Sequence, residues 1–184
     1  MITDALLSFV PPGSPLSLVG NVAVRSGVID LLGLGVGVAP SERIIGTPTT
    51  FGEDSGLGGV KPQVQVNPGI ATAGTTLNIA FQGAPDQGAG GGYQPGTWQT
   101  FEETGPITVA QFLAAINQGY PIYRGDWPPA FPANYQPRYL SLLFSPASGG
   151  TFSTGTIAAA IVTMVRDDWS ERYAAKNFSV GAVS

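Results

Sequence analysis

Arg138-Tyr139-Leu140-Ser141-Leu142-Leu143-Phe144, followed after a break by Thr156-Ile157-Ala158-Ala159-Ala160-Ile161-Val162-Thr163-Met164-Val165, is the stretch that decides the fold class. In the first run Leu140, Leu142 and Phe144 fall on one side, and Tyr139, Ser141 and Leu143 on the other. Such a two-residue period describes an extended strand, whose side chains alternate between two faces. In the second run Ala158, Ala160, Val162 and Met164 line one side, and Ile157, Ala159, Ile161 and Val165 the other. Both of its sides are largely apolar, which predicts a central strand of a sheet. Between the two, Ser145-Pro146-Ala147-Ser148-Gly149-Gly150 reads as a hairpin loop.

The same period recurs at 75–82, where Leu77, Ile79 and Phe81 oppose Thr76, Asn78, Ala80 and Gln82. Weaker strands are expected at 17–25, 28–32, 63–66, 97–103 and 120–124. Asn67-Pro68-Gly69 supplies a turn after Gln63-Val64-Gln65-Val66. One helix is signed: Thr108 with Gln111 three residues on makes a capping box, and Ile107 and Phe112 occupy the positions of a hydrophobic staple. Leu113 and Ile116 extend its apolar stripe, and Gly119 suits a left-handed stop. Many short strands with Gly/Pro turns and one ten-residue helix predict an all-β sandwich or barrel, the helix crossing the end of a sheet.

The chain has 184 residues, which gives room for one domain and one core. Charged residues make up only 11%, against a usual level of about 25%. Part of the surface is therefore expected to lie under a partner. Eight basic and twelve acidic side chains leave a net charge of −4. With no basic cluster, the chain is not expected to bind nucleic acid, which needs several phosphates neutralised together. It contains neither Cys nor His. That removes disulfides, Cys- or His-ligated metals, thiol nucleophiles and imidazole-based triads. The residues propose no cofactor, no metal site and no catalytic group. Met1-Ile2-Thr3-Asp4 lacks a basic n-region, and the apolar run from Ile157 to Val165 falls far short of the roughly 20 residues of a membrane span. A soluble protein made in the cytoplasm, without membrane contact, is expected.

Other motifs read more simply as structure. Gly33-Leu34-Gly35-Val36-Gly37-Val38 fails the dinucleotide fingerprint, because Val38 takes the place of its third glycine. The pairs Glu53-Asp54, Glu102-Glu103 and Asp167-Asp168 read as solvated acids; on a strand, Glu102 and Glu103 point to opposite faces and cannot flank one substrate. Arg124-Gly125-Asp126 and the Asn177-Phe178-Ser179 glycosylation pattern lack the export signal that would give them meaning. Three connections exceed what a sandwich needs: 33–59, 83–96 with its Gly88-Ala89-Gly90-Gly91-Gly92 run, and 123–137 with Tyr123, Trp127, Phe131 and Tyr135 among prolines. Long connections are commonly functional or disordered, and aromatic anchors carry interface energy. Partner contact and a lid over the core are both open for this aromatic segment.

Several segments together resemble the jelly-roll capsid cement, or decoration, proteins of tailed bacteriophages, of the type first seen in a short-tailed Bordetella phage. They are Met1-Ile2-Thr3-Asp4 with Phe9, then Gly27-Val28-Ile29-Asp30-Leu31. The closest are Pro137-Arg138-Tyr139-Leu140-Ser141-Leu142 and Gly150-Thr151-Phe152-Ser153-Thr154-Gly155-Thr156-Ile157-Ala158-Ala159, a pair that forms a hairpin in the family. These motifs cover about half the chain in similar order. Ser141 stands where relatives often carry a basic residue, and the long connections exceed the family norm.

The resemblance implies a jelly-roll-like antiparallel β-sandwich over 1–166, with one short connecting helix and long Gly/Pro-rich loops. It implies a tail, 167–184, that packs on a partner. The expected role is non-enzymatic: a homo-oligomer, dimer favoured and trimer possible, on the outside of a phage capsid, bridging neighbouring major capsid subunits. Contact residues are expected at Phe9, Tyr123, Trp127, Phe131, Tyr135, Trp169 and Tyr173. The alternative is a carbohydrate- or receptor-binding β module on the virion surface, with Trp98, Trp127 and Tyr135 stacking on sugars. A carboxylate-only enzyme is a distant third.

Overall fold

Two antiparallel sheets form the body of the chain. In this computed structural model, residues 3–30, 60–88, 94–126, 135 and 137–166 are described. The strands are β1 (Thr3–Val10), β2 (Leu16–Ser17), β3 (Val24–Arg25), β4 (Ile29–Asp30), β5 (Val60–Pro68), β6 (Leu77–Ala84), β7 (Gln99–Glu103), β8 (Tyr123–Asp126), β9 (Tyr139–Pro146) and β10 (Thr156–Arg166). The first sheet runs β1-β10-β5-β8, with β2 also pairing β10. The second runs β3-β9-β6-β7, with β4 also on β9.

The pairing is that of one long hairpin rolled up. The outermost strands β1 and β10 pair, then β3 and β4 with β9, then β5 with β8, and innermost β6 with β7. Rolling adds the contacts β10 with β5 and β9 with β6. This is the jelly-roll order, in which closing two sheets over one core leaves few exposed edges.

Strand β6 shows how the period becomes a core. Leu77, Ile79 and Phe81 point inward opposite Phe144 and Leu142 of β9, and the rings of Phe9 and Phe81 meet edge-on at 5.7 Å. That geometry suits the quadrupoles of two aromatic rings. In β10 the pairing slips between Ile157 and Ala159, which marks a bulge. A bulge inserts one residue and reverses the alternation beyond it. Ile157 therefore joins Ala160 and Val162 in the core, and not Ala159 and Ile161 as an unbroken period predicts.

The expected hairpin between β9 and β10 is also corrected. The two strands lie in different sheets, so 147–155 crosses from one sheet to the other. Buried Phe152, bridged to Gly20, anchors that crossing. Strand β1 has no clean alternation in its sequence and is found only in the structure. The 17–25 candidate resolves into β2 and β3.

The helix, α1 (Val109–Gln118), forms as its sequence predicts. The Gln111 amide N–H donates to the Thr108 hydroxyl at 3.3 Å, the Gln111 side-chain oxygen accepts from the Thr108 N–H at 2.8 Å, and Gly119 closes the helix at φ 71°. Phe112 and Ala115 are its buried residues, whereas Leu113 is 44% exposed, so the stripe is narrower than expected. The helix carries the chain from β7 in one sheet to β8 in the other. No helix among the described residues is long and apolar enough to cross a membrane.

Candidate functional site: the loop-bearing end

A rolled hairpin sends alternate connections to opposite ends of the sandwich. One end holds 11–23, 69–76, the α1 connection and 147–155, all within the described residues. There Gly20 bridges Phe152, Ala73 bridges Thr154, and Ile107 bridges Leu77, so backbone hydrogen bonds knit these turns together. At the other end Asp30 and Ala84 both pair Tyr139, Gln63 pairs Asp126, and Val60 pairs Arg166. The connections 31–59, 85–98 and 127–138 all leave from this second end, where β1 also begins and β10 also stops. The strand ends that flank the three long segments marked in the sequence (33–59, 83–96 and 123–137) thus lie at one end of the sandwich, 83–84 and 123–126 themselves being strand residues of β6 and β8.

Their roots are joined by Arg138, the last residue of the 127–138 connection. Its Nε and Nη2 donate to the two oxygens of Asp30 at 2.9 and 2.8 Å, and its Nη1 donates to Asp86 at 2.7 Å. The paired fork is the geometry in which guanidinium and carboxylate match best. The Arg138 side chain is only 12% exposed, and its backbone N–H donates to the Ala84 carbonyl. The Asp30 bonds, foremost, and those of Asp86 hold the guanidinium protonated even more firmly than usual, against the opposing effect of burial. The Tyr139 hydroxyl donates to the other Asp86 oxygen at 3.4 Å, and burial raises its phenol above the ordinary range.

Beside this cluster the Tyr135 hydroxyl donates to the Gly83 carbonyl at 3.1 Å, and its ring meets Phe101 edge-on at 5.8 Å. Burial raises the Tyr135 phenol as well. Gly83 is required where it stands. A Cβ there would lie 2.5 Å from the Phe101 ring and 2.8 Å from Pro137 Cβ, so the roots close down on bare backbone.

A second polar array lies on the outer face of the β3-β9-β6-β7 sheet. Arg25 Nη2 donates to Gln82 at 2.8 Å, Gln82 donates to Thr100 at 2.9 Å, and the guanidinium lies 4.0 Å from the centre of the Trp98 ring. Arg25 Nη1 is buried without a hydrogen-bond acceptor, and burial lowers the pKa of the group. The indole face offsets part of that loss as a cation–π partner.

The expected contact residues divide three ways. Phe9 is corrected: it is 1% exposed and engaged with Phe81 in the core, so it is used in folding. Tyr123 is likewise buried, with its hydroxyl donating to Glu102 at 3.1 Å. That bond ties β8 of one sheet to β7 of the other along their shared open side. Tyr135 sits at the loop-bearing end as described, while Trp127, Phe131, Trp169 and Tyr173 lie outside the described residues, as do the tail 167–184 and all of 33–59. The Arg124-Gly125-Asp126 triplet is part of β8, paired to β5, with the Tyr123 ring lying against Gly125. It forms an edge strand and not a loop tip.

Sequence reading missed the Arg138–Asp30–Asp86 cluster. Its members stand 108 and 52 residues apart along the chain, and only the charge of three scattered residues hinted at it. Of the aromatics proposed to stack on sugars, Trp98 already has Arg25 on one face and Tyr135 is tied to Gly83 and Phe101. No known protein-family model matches this chain, and no curated protein matches it.

Proposed function

We propose that this chain is a non-enzymatic capsid cement protein, which oligomerises on the outside of a tailed-phage shell and bridges neighbouring major capsid subunits. The observation that carries the reading is that the strands flanking 31–59, 85–98 and 127–138 all end at one end of a jelly roll whose opposite end is closed by hydrogen-bonded turns and α1. A body with one finished end and long connections leaving from the other suits a role in which those connections meet something larger. The composition supports the same reading. Low charge fits a surface that is mostly covered, and the absence of Cys and His suits a role that needs no reactive group. Many identical weak contacts on one particle substitute effective concentration for single-site affinity. The segment resemblance to phage decoration proteins points the same way.

The test is reconstitution. Phage shells stripped of this protein should melt at a lower temperature than intact ones and recover when purified chain is added back. Shells whose melting temperature is the same with and without it would remove the cement role. A glycan array run on the same preparation separates the rival module: specific retention there, with no effect on shells, would move the assignment to carbohydrate binding.

A further inference from the structure

We infer that the end of the sandwich closed by 11–23, 69–76, the α1 connection and 147–155 is the face through which this chain binds a second copy of itself, the two copies meeting end to end. Its use in bridging rests on the proposed function, since two copies joined this way hold their other ends far apart. The contact itself is a property of the isolated chain.

This end is finished in its backbone. The four connections lie in one row, 11–23 beside 147–155, then 69–76, then the α1 connection. Leu18 N–H donates to the Gly155 carbonyl, Thr156 N–H donates to that of Ile70, and Leu77 and Ile107 each donate to the other. The side chains are not finished in the same way. Val19, Val22 and Ile70 are each more than half exposed, and Leu113 and Tyr120, on and just after α1, are exposed as well. Single exposed apolar side chains are ordinary. These five share one end, and among the described residues Val28 is the one large exposed apolar side chain elsewhere. Val19 and Ile70 flank the same 154–156 segment, so their backbones stand about two strand spacings, roughly 10 Å, apart. Such a gathering marks a contact surface.

Charge selects the occupant. No residue of 11–23, 69–76, 104–122 or 147–155 is charged. Most of the charged positions described collect at the opposite end, where Asp30, Lys61, Asp86, Asp126, Arg138 and Arg166 stand. A charged partner group buried on the closed end would lose its water and meet no counter-charge. A surface equally free of charge suits it, and a second copy carries that same surface. Elsewhere the net charge of −4 opposes the approach of two copies, but here no like charges meet. A two-fold contact must be self-complementary, and depletion of charge is the compositional mark of an interface core. The exposed residues of the four connections also suffice in number for the roughly 20–30 a side of a standard interface.

The test is the mass of the full chain in solution, by sedimentation or light scattering. Wild type should be a dimer at about 100 μM, within the reach of a standard interface. Val22→Glu combined with Ile70→Glu should weaken self-association at least about a hundredfold, because each puts an unpaired charge into the contact. Val19→Ser with Ile70→Ser is the milder pair should the first fold poorly, and it should weaken the dimer at least about tenfold. Val28→Glu, at an exposed position away from this end, should leave the dimer intact. A wild-type monomer, a trimer or a larger species overturns the two-fold contact. So does a dimer that the double variants weaken no more than Val28→Glu does. Melting of stripped phage shells with added chain keeps the two readings apart. A dimer that restores no shell stability retains this contact and removes the cement role, whereas a monomer that restores it does the reverse.

Discussion

Replacing Gly83 by alanine sets two opposing effects against each other, and the structure says which prevails. Gly83 lies in β6, paired with Leu140, in ordinary strand backbone. Strand interiors disfavour glycine by roughly 0.5–1 kcal/mol relative to alanine, so propensity alone predicts stabilisation. Against that, the new methyl carbon would stand 2.5 Å from two atoms of the Phe101 ring and 2.8 Å from Pro137 Cβ. The ring end of Phe101 could swing, but its edge contact with Tyr135 would go with it. Pro137 has a fixed ring and is buried, so the backbone at the root of β9 must also give. Overpacking costs about 1–3 kcal/mol, and two clashes at once place this site in the upper part of that range, roughly 2–3 kcal/mol, which exceeds the propensity gain and leaves a net loss of about 1–2.5 kcal/mol. For a chain of this size that corresponds to a fall in Tm of about 2–10 °C, measured by circular dichroism or calorimetry. A second background carrying Phe101→Ala provides the control, because Gly83→Ala introduced there should cost less than in the wild-type chain but still destabilise through the remaining Pro137 contact. A Gly83→Ala chain that melts at or above the wild-type temperature would refute the claim that β6 closes against the roots of 127–138.

Three further outcomes follow from other parts of the fold. Ile157→Ala should lower stability by about 2–5 kcal/mol in urea unfolding, since the β10 bulge turns this fully buried side chain into the core; a loss below about 1 kcal/mol would mean the face assignment is wrong. Thr108→Ala should cost about 0.5–2 kcal/mol by removing the capping box of α1, and Thr108→Ser should restore most of it. Burial raises the phenols of Tyr135 and Tyr139, so the folded chain holds these protons more tightly than the unfolded one. Stability is then unaffected below the unfolded phenol value of about 10 and declines as pH rises from there through the folded values. Phenolate absorbance titrations of wild type, Tyr135→Phe and Tyr139→Phe should show the two missing phenols ionising later than free tyrosine; earlier ionisation would contradict the burial argument.

Residues 75–82, 138–144 and 156–165 declared their strands because a half-buried strand must alternate, and alternation is a local property of the chain. Thr108, Gln111 and Gly119 fixed α1 for the same reason: a cap is made by residues within one turn of each other. The all-β class and the position of the helix were therefore written in the sequence. Pairing was not. The break between β9 and β10 looked like a hairpin because a turn signal says that a chain reverses, without saying whether the next strand joins the same sheet. The reversal of faces at Ile157 was equally hidden, since a bulge is a mismatch between two strands and neither sequence contains it alone. The loop-bearing end lay beyond sequence for the most basic reason. Asp30, Asp86 and Arg138 become neighbours only after a hairpin of more than a hundred residues has rolled up, and charge attracts by distance in space, not by position along the chain.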